Sequence, residues 1–244
     1  GYSGEGASRV IGADRIIVKP YTILKADALE SGDGGRIVFW SNLATDFYGD
    51  LSAKGGALSG DGGFLEISSK DQVGFAGTAD ATAANGAVGQ LLLDPKNITI
   101  STFFGGTGGV ANPNQLTFAN QSTSSLTILP SFLTTTLNTG TAVTLQANND
   151  ITVNSAITVN NPGGNGGALT LQAGRSVSIN ANITTDNGNL TIVANELLAN
   201  GVVNAQRDAG SASLTMGFGT SINAGTGAVN LRIASGAGKT NFAS

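Results

Sequence analysis

Two aspartates lead the residues whose types and spacing could do chemistry. Asp33 and Asp61 lie 28 residues apart in one repeated phrase, Gly32-Asp33-Gly34-Gly35 and Gly60-Asp61-Gly62-Gly63. If the two copies stack, the carboxylates stand about 5 Å apart, near the lower end of the separation that glycosidic cleavage requires. The glycines around them read as surface turns, however, and the chain has no histidine, so the commonest general base is missing. The same aspartates could offer oxygen to calcium. Calcium-binding β-roll repeats need Gly-Gly-x-Gly-x-Asp, and Gly-Asp-Gly-Gly inverts that order. No catalytic, cofactor-binding or metal-ligating residue is therefore assigned, and no cofactor is expected.

Other candidates fare no better on their own residues. Gly236-Ala237-Gly238-Lys239-Thr240 ends like a phosphate loop, but the first glycine of that motif would fall on Ile233, and the strand and helix context is missing. A phosphate cradle at the doubled glycines would want a helix to follow, and a strand follows. Asn97-Ile98-Thr99, Asn182-Ile183-Thr184 and Asn189-Leu190-Thr191 match glycosylation acceptors, as chance alone would produce where Asn and Thr are so common. Phe39, Trp40, Phe47, Phe64 and Phe75 cluster; core packing explains most of them, and Trp40, facing away from Phe39, is the one placed to stack on a sugar. An ice-binding face would want a flat double row of threonines, whereas most strands here offer one. The formal charge of −4 argues against nucleic acid, which needs a basic face. Without cysteine there is neither a disulfide nor a thiolate site, and secretion stays open.

The elements that would position any such residues announce themselves by repetition. Ala142-Val143-Thr144-Leu145 returns as Ala168-Leu169-Thr170-Leu171, Asn189-Leu190-Thr191-Ile192, Ser213-Leu214-Thr215-Met216 and Ala228-Val229-Asn230-Leu231, in steps of 26, 21, 24 and 15 residues. Such a period, mostly of twenty-odd residues, marks a solenoid. Within a period the phrase echoes, as in Ile151-Thr152-Val153 and Ile157-Thr158-Val159, or Val177-Ser178-Ile179 and Ile183. Each run alternates apolar with small polar residues, the two-residue period of a strand with one face buried. Three short strands per period, stacked on the next period, make a parallel β-helix; hairpin-linked sandwiches and barrels have no need of the recurring phrase. Val143, Leu169, Leu190, Leu214 and Val229 are expected to form one inward column, with Leu145, Leu171, Ile192, Met216 and Leu231 beside it. Thr144, Thr170, Thr191 and Thr215 would form an outward ladder, and Asn154, Asn180 and Asn223 a stacked turn.

The charges divide the chain. Of its 28 charged residues, 20 lie at or before Lys96 and none falls between Asn97 and Asn149. Residues 1–100 carry repeats 28 apart, with Ile37 and Phe39 matched by Leu65 and Ile67, and Phe47 by Phe75. Across 101–141 the rhythm breaks. Phe103 to Gly109 reads as a glycine-rich excursion, Leu116–Phe118 and Leu126–Ile128 as strands, and Pro130 to Asn138 as one short helix ended by Gly140. That stretch either flanks the stack or protrudes as a binding element. Residues 142–244 are the regular repeats. The charged fraction of 11%, against about 25% in ordinary soluble domains, implies a surface of Thr, Ser, Asn and Gly. No apolar run is long enough to span a membrane as a helix, and Gly1 opens with neither Met nor a signal peptide, so the chain reads as a mature or excised piece of something longer.

Three stretches in order carry a resemblance: Gly34-Gly35-Arg36-Ile37-Val38-Phe39-Trp40, Asp61-Gly62-Gly63-Phe64-Leu65-Glu66-Ile67-Ser68, and Leu91-Leu92-Leu93-Asp94-Pro95-Lys96-Asn97-Ile98-Thr99-Ile100. Together they resemble the shaft of filamentous-haemagglutinin-like exoproteins, bacterial passengers of two-partner secretion. The resemblance covers about 30–100 well, and 140–235 as generic repeats. It implies a right-handed winding of the β-helix, export through an outer-membrane transporter, a place on the bacterial cell surface or in the secreted fraction, and a non-catalytic role as a segment of a surface fibre or adhesin. Self-association into fibres and contact with glycans or proteins of host or neighbouring cells are the partners it implies. Asn112-Pro113-Asn114 matches part of the family's secretion signature but in the wrong place, so that role is not carried over. The alternative is a β-helix protein that binds or cleaves polysaccharide.

Overall fold

The computed structural model describes residues 13–102 and 125–234. In chain order, β1 (Arg15–Val18) and β2 (Ile23–Lys25) precede two complete triplets. The first is β3 (Arg36–Ser41), β4 (Ala44–Phe47) and β5 (Asp50–Ser52); the second is β6 (Phe64–Ser69), β7 (Gln72–Phe75) and β8 (Thr78–Asp80). Then come β9 (Gln90–Asp94), β10 (Asn97–Ile100), β11 (Ser125–Ile128) and the helix α1 (Pro130–Leu137). Two more triplets follow: β12 (Ala142–Ala147), β13 (Ile151–Val153) and β14 (Ile157–Thr158), then β15 (Leu169–Ala173), β16 (Val177–Ile179) and β17 (Ile183–Thr184). The rest are β18 (Leu190–Ala194), β19 (Leu214–Met216), β20 (Ile222–Asn223) and β21 (Val229–Ile233).

The described residues are all-β apart from α1 and two single 3-10 turns, and their strands pair in parallel. A parallel pair needs a crossover of a dozen residues or more, and the repeat length supplies it. The largest sheet has seven strands in the order β21-β18-β15-β12-β9-β6-β3, so each strand lies beside its counterpart one repeat away. The second strands of the repeats form β1-β4-β7 and β11-β10-β13-β16-β19, and the third strands form β2-β5-β8 and β14-β17-β20.

Register aligns the apolar positions. In the largest sheet one column runs Ile37, Leu65, Leu91, Val143, Leu169, Leu190, Val229, and the next runs Phe39, Ile67, Leu93, Leu145, Leu171, Ile192, Leu231. From Leu65 to Leu190, and from Ile67 to Ile192, these side chains are buried. Leu126, Ile98, Ile151 and Val177 make the matching column of the second sheet. The buried members of these columns join one apolar core, with the partly buried Ile37 and Phe39 packed against it; Val229 and Leu231, on the last strand, are exposed. Outward, Thr144, Thr170 and Thr191 stack as expected.

The doubled glycines answer to close approach. A Cβ on Gly62 would come within 1.9 Å of the Ala81 carbonyl oxygen, and one on Gly63 within 2.1 Å of the Gly35 oxygen. The glycine that opens each phrase has the left-handed backbone instead, with φ of +119° at Gly32 and +124° at Gly60.

The middle of the chain departs from the triplet. After β10 the chain returns as β11 on the side of β10 away from β13, and β11 lies against β7. The second sheet thus holds two strands where the largest holds β9 alone. At the third position α1 packs against β8 and β14 in place of a strand. A helix about 10 Å across fills roughly two strand spacings, which is the slot left where one third strand is missing. Proline at its first turn and buried Leu133 and Leu137 fit the helix expected from the sequence. Phe103–Gly109, Leu116–Phe118, Asn112-Pro113-Asn114 and Gly236–Thr240 lie outside the described residues.

Three assignments are corrected. Leu214 and Met216 pair with Val177 and Ile179 in the second sheet, so Val229 and Leu231 follow Leu190 and Ile192 directly. Thr215 accordingly leaves the Thr144 ladder and bonds Ser178. Asn223 stands beside Thr184, whereas Asn180 donates to Asn154 as expected, at 2.9 Å. The cause is the insertion 195–213 between β18 and β19, which displaces the phrase by one strand; the phrase alternates identically in either sheet. Replacing the inward Leu171 by Ala should cost about 2–5 kcal/mol of unfolding free energy, whereas the outward Thr170→Ala should cost less than about 1 kcal/mol. Denaturant titration of both variants checks the assignment of faces.

Candidate functional site

On the outer face of the largest sheet, β3, β6 and β9 present residues unlike the threonines further along. Strand alternation and register set them in three columns: Arg36, Phe64, Gln90; Val38, Glu66, Leu92; and Trp40, Ser68, Asp94. The Arg36 guanidinium lies 4.4 Å over the Phe64 ring and 3.5 Å from the Glu66 carboxylate. The Ser68 hydroxyl donates to Glu66 Oε1 at 2.9 Å. Trp40 is half-exposed, with the Lys70 ammonium 5.2 Å from its ring; the same ammonium donates to Asn42 Oδ1 at 3.0 Å.

Asp94 is the perturbed group of this face. Its Oδ1 is buried and accepts no hydrogen bond among the described residues. Burial, and then the nearby negative charge of Glu66, push its carboxyl up to about 7. Glu66 pairs with Leu92 in the ladder, and Asp94 lies two residues beyond Leu92 on the same face. The two carboxyls are therefore diagonal neighbours on adjacent strands. Asp94 holds its proton towards neutrality, while Arg36 and Ser68 engage the Glu66 side chain. A pair of carboxyls divided in this way can do general acid–base work.

The residues singled out from the sequence are engaged in holding rows together. Asp33 and Asp61 do come within one row of each other, but Asp33 Oδ1 accepts from the Asp61 N–H and Asp61 Oδ1 from the Ala87 N–H, each at 2.8 Å. Their side chains thus act as turn caps between rows. Asn97 Oδ1 accepts from Asn149, Asn182 Oδ1 from the Ser221 N–H, and Asn189 Oδ1 from the Ala228 N–H. Trp40 does face outward. Glu66 and Asp94 were not singled out, and the signal for them was their position: both alternate with inward leucine or isoleucine and so fall on the face that carries Trp40.

A second polar cluster clamps the insertion 195–213 to the turns after β12 and β15. Asn148 accepts from the Val203 N–H and donates to Gln206; Asn149 accepts from the Asp208 N–H and donates to its carboxylate. Asp150 pairs with Arg175, and Lys96 with Asp208. The buried Glu196 side chain receives Gln172, Asn200, the Leu197 N–H and Arg232. The side-chain oxygens of Asn148, Asn149, Asp150, Glu196 and Asp208 are thus engaged within the fold, as a docking joint requires.

No family model matches the chain, and no curated protein matches it at a significant level.

The Asp94 environment sets a pH dependence. A carboxyl that titrates higher in the folded than in the unfolded chain binds more protons when folded, so its contribution is fully present at low pH and is lost as pH rises through about 7. Asp94→Asn should therefore melt above the parent at alkaline pH, by on the order of 1–3 kcal/mol, with the gap closing towards about pH 4. Thermal melts of both proteins across that range check it; a gap independent of pH would contradict the titration.

Proposed function

We propose that the chain winds as a right-handed parallel β-helix and serves as a non-catalytic shaft segment of a large secreted bacterial surface fibre or adhesin, of the filamentous-haemagglutinin-like kind. The observation that carries this reading is the pair of inward columns that keep register through all seven strands of the largest sheet. A stack that repeats one row transmits length and stiffness, since each row is held by its neighbours on both sides. At roughly 4.8 Å per row, extension costs one short repeat at a time. The shared columns of β9 and β12 also support treating 1–100 and 142–244 as one continuous shaft, with the 101–141 stretch as a decoration on it. Export through an outer-membrane transporter belongs to the same reading, as do lateral self-association and contact with cell-surface glycans or proteins.

A second reading, a β-helix protein that binds or cleaves polysaccharide, is favoured by one observation. Asp94 and Glu66 stand as a divided carboxyl pair on the face that exposes Trp40.

Antibodies raised against the purified chain should label intact cells of the source bacterium, and labelling only after lysis would contradict a surface role. In parallel, polyuronates and neutral polysaccharides incubated with the chain should release no new reducing ends. Release by the parent that is abolished in both Asp94→Asn and Glu66→Gln would favour the second reading instead.

A further inference from the structure

The sequence contains four Asn-Gly pairs: Asn85-Gly86, Asn165-Gly166, Asn187-Gly188 and Asn200-Gly201. In such a pair the glycine nitrogen, uncrowded by a side chain, can attack the Asn side-chain carbonyl if the nitrogen is free and the side chain can turn towards it. The four differ in that freedom. Gly166 N–H donates to the Asp186 carbonyl at 2.7 Å, Gly188 N–H to the Thr185 carbonyl at 3.0 Å, and Gly201 N–H to the Leu198 carbonyl at 3.1 Å. Two of those asparagines are also tethered, Asn187 Oδ1 by the Thr226 N–H at 3.0 Å and Asn200 Nδ2 by Glu196 Oε1 at 2.9 Å. Gly86 N–H, by contrast, donates to no acceptor among the described residues. Asn85 to Val88 form an exposed turn between β8 and β9, and a single bond from Asn85 Nδ2 to the Ala57 carbonyl, 2.9 Å, restrains the side chain.

We propose that Asn85 is a site of spontaneous covalent modification, at which the Gly86 backbone nitrogen converts the side-chain amide to an aspartyl or isoaspartyl linkage. The Gly86 N–Cγ bond forms as the Cγ–Nδ2 bond breaks, and the amide leaves as ammonia with the proton that Gly86 gives up. Water then opens the cyclic imide at either carbonyl, so the net change is one water consumed and one ammonia released, with no oxidant or reductant. The fold keeps the reactive glycine in place: a Cβ on residue 86 would lie 2.2 Å from the Gly60 carbonyl oxygen. The product alters the joint between rows. A carboxylate replaces the donor that faced the Ala57 carbonyl, and the isoaspartyl form lengthens the backbone beside the Gly62-to-Ala87 bond and the Asp61 cap.

The test incubates the folded chain, and the same chain unfolded in concentrated urea, in mildly alkaline buffer, then measures the mass of each Asn-Gly peptide. In the folded chain Asn85 should convert on the order of tenfold faster than Asn165, Asn187 or Asn200, the factor expected where one backbone hydrogen bond must first open. In urea the four rates should fall within a few-fold of one another, showing that folding sets the difference. The variant Asn85→Gln, whose longer side chain closes a larger and slower ring, should lose most of the acidic charge variant that the folded parent accumulates. Equal rates at all four pairs in the folded chain would overturn the proposal. So would an intact Asn85 over a time in which the unfolded chain converts.

Discussion

Parallel register between rows is the constraint from which the other features follow. A residue at a given position meets its own counterpart above and below, about 4.8 Å away, so whatever a position carries it must tolerate beside itself. Apolar residues meet this condition by burial, as Leu91, Val143, Leu169 and Leu190 do in one column. Threonine meets it on the outside, and asparagine by donating to asparagine, as Asn180 does to Asn154. Like charges in facing positions repel. The chain is correspondingly poor in charge, and several of its ion pairs bridge neighbouring rows with opposite signs: Arg36 with Glu66, Lys54 with Asp80, and Arg175 with Asp150. Asp94 and Glu66 depart from this pattern, and Asp94 answers by holding its proton towards neutrality.

The same constraint shapes the turns. Where the backbone of one row presses on the next, only glycine fits, and Gly62 and Gly63 are placed there by carbonyl oxygens of other segments. It also governs how foreign segments are admitted. The helix α1 replaces one strand because its width matches roughly two spacings. The 195–213 insertion is carried outside the sheets and fastened by side chains of the turns it crosses, chiefly Asn148, Asn149 and Glu196. Neither interrupts the largest sheet.

Alternation made the strands legible: an apolar residue at every second position states which side is buried, and the 28-residue step of the first repeats states the register, as Phe47 beside Phe75 shows. The helix at Pro130 was legible from its proline and its leucines. What alternation leaves open is which sheet a strand joins. Ser213-Leu214-Thr215-Met216 reads like its counterparts, yet it sits beside Val177 because the preceding insertion shifts the phrase by one strand. The neighbouring carboxyls were hidden for a related reason. Glu66 and Asp94 are ordinary outward residues until register brings them diagonal and burial isolates one of them. Asp33 and Asp61 stood out through their repeated phrase, and the repetition proved to be that of a turn cap.

The placement of β19 and β21 tests the register most directly, because sequence similarity and geometry disagree there. The chain has no cysteine, so engineered pairs report without interference. Thr191 faces Asn230 across the β18–β21 ladder, within the Cα separation of about 4.4–6.8 Å that a disulfide spans. On mild oxidation the double variant Thr191→Cys with Asn230→Cys should cross-link in the folded chain, while Thr191→Cys with Thr215→Cys should stay reduced. Cross-linking of the Thr191 and Thr215 positions, with none between 191 and 230, would contradict the stacked register on which the account stands.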